Sequence, residues 1–183
     1  MSAIVMKLIT AEEFAGIPDP PDGSRHELVR GEVVIVSRPK GLRGILMNRI
    51  GRKIGNFVDE RGLGWTVEDG GVVLERDPDT VRGPDVAFYS IQRQPLPPED
   101  FFEIPPELAI EIRSPGDRPG RIREKVREYL SNGVRLIWIV DPGDRTVTVY
   151  SGKNRGIVYE DTDTLEGRDI LPGFACKVSD LFV

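Results

Sequence analysis

Residues 107–141 constrain the fold more than any other stretch of this chain. Glu107 to Arg113 alternates its side chains as a strand does, and it stops at Ser114-Pro115-Gly116. A helical pattern then runs from about Arg118 to Ser131. Its apolar stripe is Ile122, Val126, Tyr129 and Leu130, and Asn132-Gly133 is its stop. Leu136-Ile137-Trp138-Ile139-Val140 follows as a continuous apolar run, the pattern of a strand buried on both faces. A strand–helix–strand unit of this kind places a helix against a sheet.

The flanking segments extend that picture. Thr10-Ala11-Glu12-Glu13 is a capping box that opens a short helix. Glu27-Leu28-Val29 and Val33-Val34-Ile35-Val36 flank Arg30-Gly31 as a strand pair with a tight turn. Ile45, Leu46, Ile50, Ile54, Phe57 and Val58 recur at three- and four-residue steps, which predicts an amphipathic helix ending near Gly62. Asp69-Gly70-Gly71 before Val72-Val73-Leu74 reads as a second hairpin. Asp77 to Gly83 reads as a loop, and Pro84 opens a strand over Asp85–Tyr89. The proline-rich stretch from Gln92 to Pro106 reads as a surface loop, and Thr146–Tyr150 as an alternating strand. The expectation is one α/β (α+β) domain over 1–183, with a mixed sheet flanked by helices.

Composition removes several chemistries. The single cysteine, Cys176, cannot form an intramolecular disulfide or a Cys₂ zinc pair, and the lone histidine, His26, excludes any site needing two imidazoles. No apolar run reaches the roughly 18 residues of a membrane span. Met1 to Thr10 carries no small-residue cleavage site, so a cytoplasmic protein is expected. Phosphate-binding glycine motifs and the G-x-S-x-G nucleophile elbow are missing. The formal net charge is −5, yet two stretches are locally basic. One includes Arg25, Arg30, Arg38, Lys40, Arg43, Arg49, Arg52 and Lys53; the other runs from Arg113 to Arg127. Either can be a solvated face or a phosphate-binding surface.

Two carboxylates stand out. Period-two alternation puts Leu108, Ile110 and Ile112 on one face of their strand and Ala109, Glu111 and Arg113 on the other. A carboxylate on a strand built for burial needs a partner. Asp85 sits in a similar place, on a short apolar strand beside Gly83-Pro84. If the two strands are neighbours, Asp85 and Glu111 converge, and two carboxylates completed by water suit Mg²⁺. Helical spacing brings Lys125 towards Glu111, where it competes with Arg113 for the role of local cation. The bland alternatives are a Glu111–Arg113 ion pair, a surface Lys125 paired with Glu124 or Glu128, and a Glu27 paired with Arg25 or Arg30.

At this point the residues resemble a known family. Ala109-Ile110-Glu111-Ile112-Arg113-Ser114-Pro115-Gly116-Asp117, then Glu124-Lys125-Val126-Arg127-Glu128-Tyr129-Leu130, is similar to the Uma-two family of bacterial endonucleases. So are Gly133 to Pro142, His26 to Glu32 and Gly83 to Phe88, and the likeness runs from about Thr10 to Phe182. The resemblance implies a PD-(D/E)XK restriction-endonuclease-like core, Mg²⁺ or Mn²⁺, and phosphodiester hydrolysis of nucleic acid, DNA first of all, by a homodimer. It assigns Asp85 and Glu111 to the metal, Lys125 to the catalytic cation and Glu27 to the N-terminal acid. Arg113 stands where the wider superfamily has its lysine. Arg43-Gly44 replaces a His-Gly pair common in the family, which leaves substrate choice open. Arg43, Arg49, Arg52, Lys53 and Arg113 are the candidate phosphate contacts. The competing expectation is a nucleic-acid-binding or interaction module that keeps the nuclease fold without cutting.

Overall fold

The computed structural model describes residues 8–18, 20–36, 40–152 and 155–183, so Arg38 and the first seven residues lie outside what is described. In chain order the elements are α1 (Ala11–Ala15), β1 (Arg25–Val29), β2 (Glu32–Val36), α2 (Gly41–Arg61), β3 (Gly64–Glu68), β4 (Val72–Glu75), β5 (Thr80–Arg82), β6 (Val86–Ser90) and β7 (Leu108–Ile112). They continue with α3 (Pro119–Ser131), β8 (Leu136–Asp141), β9 (Thr146–Ser151), β10 (Ile157–Tyr159), β11 (Thr164–Glu166), β12 (Ala175–Lys177) and a closing 3₁₀ turn, Val178–Leu181.

A six-stranded sheet in the order β10-β9-β8-β7-β6-β3 forms the centre. The β7–β8 pair is parallel, bridged by α3, and the other pairs are antiparallel. The sheet is mixed, as the strand–helix–strand pattern implied. A four-stranded antiparallel sheet, β2-β1-β5-β4, stands beside it, and β11 pairs with β12.

Sequence periodicity explains how the layers close. Leu46, Ile50, Ile54 and Val58 fall on one stripe of α2 and cover Val86, Phe88, Leu108, Ile110, Ile112 and Trp138. The left-handed Gly62 ends that helix, its N–H donating to Val58 and Asp59 carbonyls. On the opposite face Ala87, Ala109, Ile137 and Ile139 pack under Val126 and Tyr129 of α3. A third cluster joins Ala11 and Phe14 of α1 to Leu28, Val73 and Val81. The capping box at Thr10 forms, with Thr10 and Glu13 exchanging hydrogen bonds. No helix among the described residues is long and apolar enough to cross a membrane.

Two sequence expectations fail. Asp69-Gly70-Gly71 does not turn a hairpin, because β3 pairs with β6 while β4 pairs with β5 in the other sheet. The glycines serve close packing instead: a Cβ on Gly71 would sit 2.4 Å from the Phe101 ring, and one on Gly70 at 2.4 Å from Val67. The segment 77–83 is not all loop. Thr80–Arg82 forms β5, wholly buried, between β1 and β4.

Candidate active site

The site lies where β6 and β7 reach the edge of α3. The last paired couple of these strands is Val86 opposite Ile110, so the next position sets Asp85 opposite Glu111. Asp85 is fully buried. Its Oδ2 accepts from the Ile112 backbone N–H at 2.7 Å, which pins it to β7. Arg43, in the first turns of α2, donates to it through Nε and Nη2, at 3.2 and 2.9 Å to Oδ1 and 3.0 Å to Oδ2. This forked pairing is the strong form of an arginine–carboxylate contact.

Glu111 is bound quite differently. Its Oε1 accepts from Lys125 Nζ at 3.0 Å and from the Tyr129 hydroxyl at 2.7 Å. Oε2 accepts no hydrogen bond among the described residues. Lys125 Nζ also lies 3.0 Å from Glu27 Oε1, so one ammonium joins two carboxylates from β1 and β7. Arg82 of β5 donates to the other Glu27 oxygen at 2.8 Å and forks onto Glu128 of α3.

Electrostatics follow from burial and neighbours. Burial raises the pKa of Glu111, Asp85 and Glu27 add to the rise, and Lys125 opposes it. Burial works to lower Lys125, but Glu111 and Glu27 outweigh it and hold the ammonium protonated. Burial would raise Glu27, but Lys125 and Arg82 bring it below the usual carboxylate range. Burial, together with Glu111 and Glu27, drives Tyr129 well above its ordinary value, so its hydroxyl remains a donor. The two carboxylates thus favour the charged form of Lys125.

The donor set is of the kind a hard divalent ion takes. Asp85 and Glu111 would supply hard oxygen ligands from facing positions; Glu111 keeps one oxygen unengaged, while Arg43 and the Ile112 N–H occupy both oxygens of Asp85. No group of three or more Asp, Glu, His or Cys side chains among the described residues is arranged to hold a metal. Two carboxylates completed by waters and substrate oxygens match the habit of Mg²⁺. Glu27 is joined to cations, which makes it the anchor of Lys125.

The cations separate into groups. Arg43 and Lys125 line a cleft of ≈ 650 Å³ with Arg25, His26 and Glu27, faced by Phe14, Ile17 and Phe101. Arg49 donates to the Phe182 carbonyl and Lys53 lies 3.5 Å from Asp180, so both turn to the C-terminal segment. Arg52 lines a separate hollow with Asn48, Trp65 and Glu68. Arg113 pairs with Asp141, which corrects its expected pairing with Glu111: β7 ends at Ile112, and the Arg113 N–H bonds Val140, turning the side chain to the end of β8. The sequence reading missed Arg82 and the hydroxyl role of Tyr129. Tyr129 had a signal, standing one helical turn beyond Lys125 on the same border of α3.

Comparison with known proteins bears on the family and the fold. A family model, Uma2, described as "Putative restriction endonuclease", matches residues 11–179. No curated protein matches the chain. Among solved structures, a "putative nuclease belonging to DUF820" from Anabaena variabilis superposes with a TM-score of 0.82, over 95% of this chain and 97% of that one, at 21% identity. At that identity the likeness is one of fold, a nuclease-like mixed α/β architecture. The family match runs from the start of α1 into the 3₁₀ turn, over nearly the whole chain, so the chain belongs to the Uma2 family.

Proposed function

We propose that this protein is a metal-dependent endonuclease that hydrolyses phosphodiester bonds of DNA, with Mg²⁺ or Mn²⁺ held by Asp85 and Glu111. The observation that carries the reading is the Lys125 ammonium fixed 3.0 Å from Glu111 beside the facing Asp85. A bound ion supplies Lewis acidity and a water of lowered pKa. Lys125 stabilises negative charge developing on the phosphate oxygens, a role that needs its charge and not its basicity. Tyr129 and Lys125 share one Glu111 oxygen and so leave the other free to hold an ion. Arg43 and Arg25 offer the cleft to the phosphate backbone. The family's description as restriction endonuclease supports DNA as substrate. Cutting both strands of a duplex suits two copies of this single domain acting as a homodimer in the cytoplasm.

Plasmid DNA and RNA incubated with Mg²⁺ or Mn²⁺ test the reading. DNA should be cut, Glu111→Ala should reduce cleavage to background, and Lys125→Ala should slow it by about 10²–10³-fold. Cleavage that survives both substitutions would sink the assignment. One observation favours a non-cutting binding module: Asp85 is fully engaged by Arg43. That reading predicts DNA binding indifferent to Mg²⁺ and to Glu111→Ala.

A further inference from the structure

We infer that Arg43 is a displaceable counter-ion of the metal site, and that it couples metal binding to binding of the nucleic-acid backbone. The inference rests on the nuclease reading and names how that site is loaded. A carboxylate offers roughly four lone-pair positions. On Asp85 they are filled, Oδ1 by Arg43 Nε and Nη2, and Oδ2 by Arg43 Nη2 and the Ile112 N–H. Glu111 differs, with both its contacts on Oε1. One half of the metal site is open and the other is closed by a single side chain.

The Ile112 N–H belongs to β7 and cannot leave. Arg43 can leave, because its side chain lines the cleft and its remaining contact, Nη1 to Ser114 Oγ, is long at 3.5 Å. Arg25 also lines the cleft; its Nη1 pairs with Asp69, and its buried Nε has no hydrogen-bond partner. A phosphodiester entering the cleft presents two anionic oxygens of the shape a guanidinium forks onto. Arg43 then exchanges Asp85 for phosphate, and Asp85 is released to the ion. Each ligand favours the Arg43 position that the other requires, so the two bind with positive coupling, and linkage makes the effect reciprocal.

Calorimetric titration of Mn²⁺ into the nucleic-acid-free protein tests this without reference to activity. Arg43→Ala and Arg43→Gln, the second keeping a neutral donor for Asp85, should bind Mn²⁺ at least about tenfold tighter than wild type. Arg25→Ala removes the same charge from the same cleft without touching Asp85, and should change the affinity far less. A short phosphorothioate-linked DNA duplex should tighten Mn²⁺ binding to wild type and leave the Arg43 variants nearly unchanged. Thermal melts identify any variant that has not folded, and either Arg43 variant suffices. Equal Mn²⁺ affinity in wild type and the Arg43 variants overturns the inference. So does equal tightening by Arg25→Ala, since unspecific electrostatics would then suffice. In both cases loss of binding in Asp85→Asn leaves the metal site itself standing. Mn²⁺ binding in no protein, with or without duplex, removes the metal reading and this inference with it.

Discussion

Two buried glutamates joined by one lysine respond to pH in opposite directions. Glu111 has its pKa raised by burial and by Asp85 and Glu27, against the pull of Lys125. The native state therefore holds this proton to higher pH than the unfolded chain does. As pH rises from the unfolded carboxylate value through the raised native value, ionising Glu111 subtracts stability. Glu111→Gln should thus gain about 1 kcal/mol at neutral pH while losing activity. For a chain of this size that is about 2–4 °C in melting temperature. The gain should shrink on acidification below the unfolded value; a melting-temperature series showing it grow there would contradict the assignment. Glu27, with burial outweighed by Lys125 and Arg82, is depressed. Its contribution is present above the unfolded value and is lost as pH falls through the native one. Glu111 itself was legible from strand alternation, and Lys125 from helical spacing. The partner of Arg113 was not, because alternation stops applying where the strand ends.

At the scale of elements, β5 decides how the two sheets share the site. It is three residues long, enclosed by Asp77-Pro78-Asp79 and Gly83-Pro84, so no periodicity could reveal it. Arg82 in β5 joins Glu27 of β1 to Glu128 of α3, partners 55 and 46 residues away in sequence. Separations of that kind leave no local trace, whereas the 14-residue step from Glu111 to Lys125 lies within one strand–helix unit. Arg82→Ala would leave buried Glu27 held by Lys125 alone and half-buried Glu128 without its forked partner, and should cost about 3 kcal/mol in urea unfolding. Glu128→Ala should cost less, since Arg82 keeps Glu27. A loss below about 1 kcal/mol for Arg82→Ala would show the ion network to be peripheral.

For the whole molecule, the helices, the buried β8 and the mixed sheet were readable because long periodic segments carry their own signal. The C-terminal stretch carries no long periodic segment, yet it completes the larger core. Ile170, Leu171, Phe174, Val178, Leu181 and Phe182 are all buried against α2 and the central sheet. Each is worth roughly 1.5–3 kcal/mol, and a domain's whole stability is about 5–15 kcal/mol. A chain stopped after Asp169 should lose cooperative unfolding and become rapidly proteolysed; a sharp thermal transition in that truncation would refute the packing argument. The same six side chains are synthesised after every residue of the carboxylate site. Until residues 170–182 have been made, α2, the helix that carries Arg43, has no complete partner surface, so the carboxylate site is expected to become ordered only with the last stretch of the core.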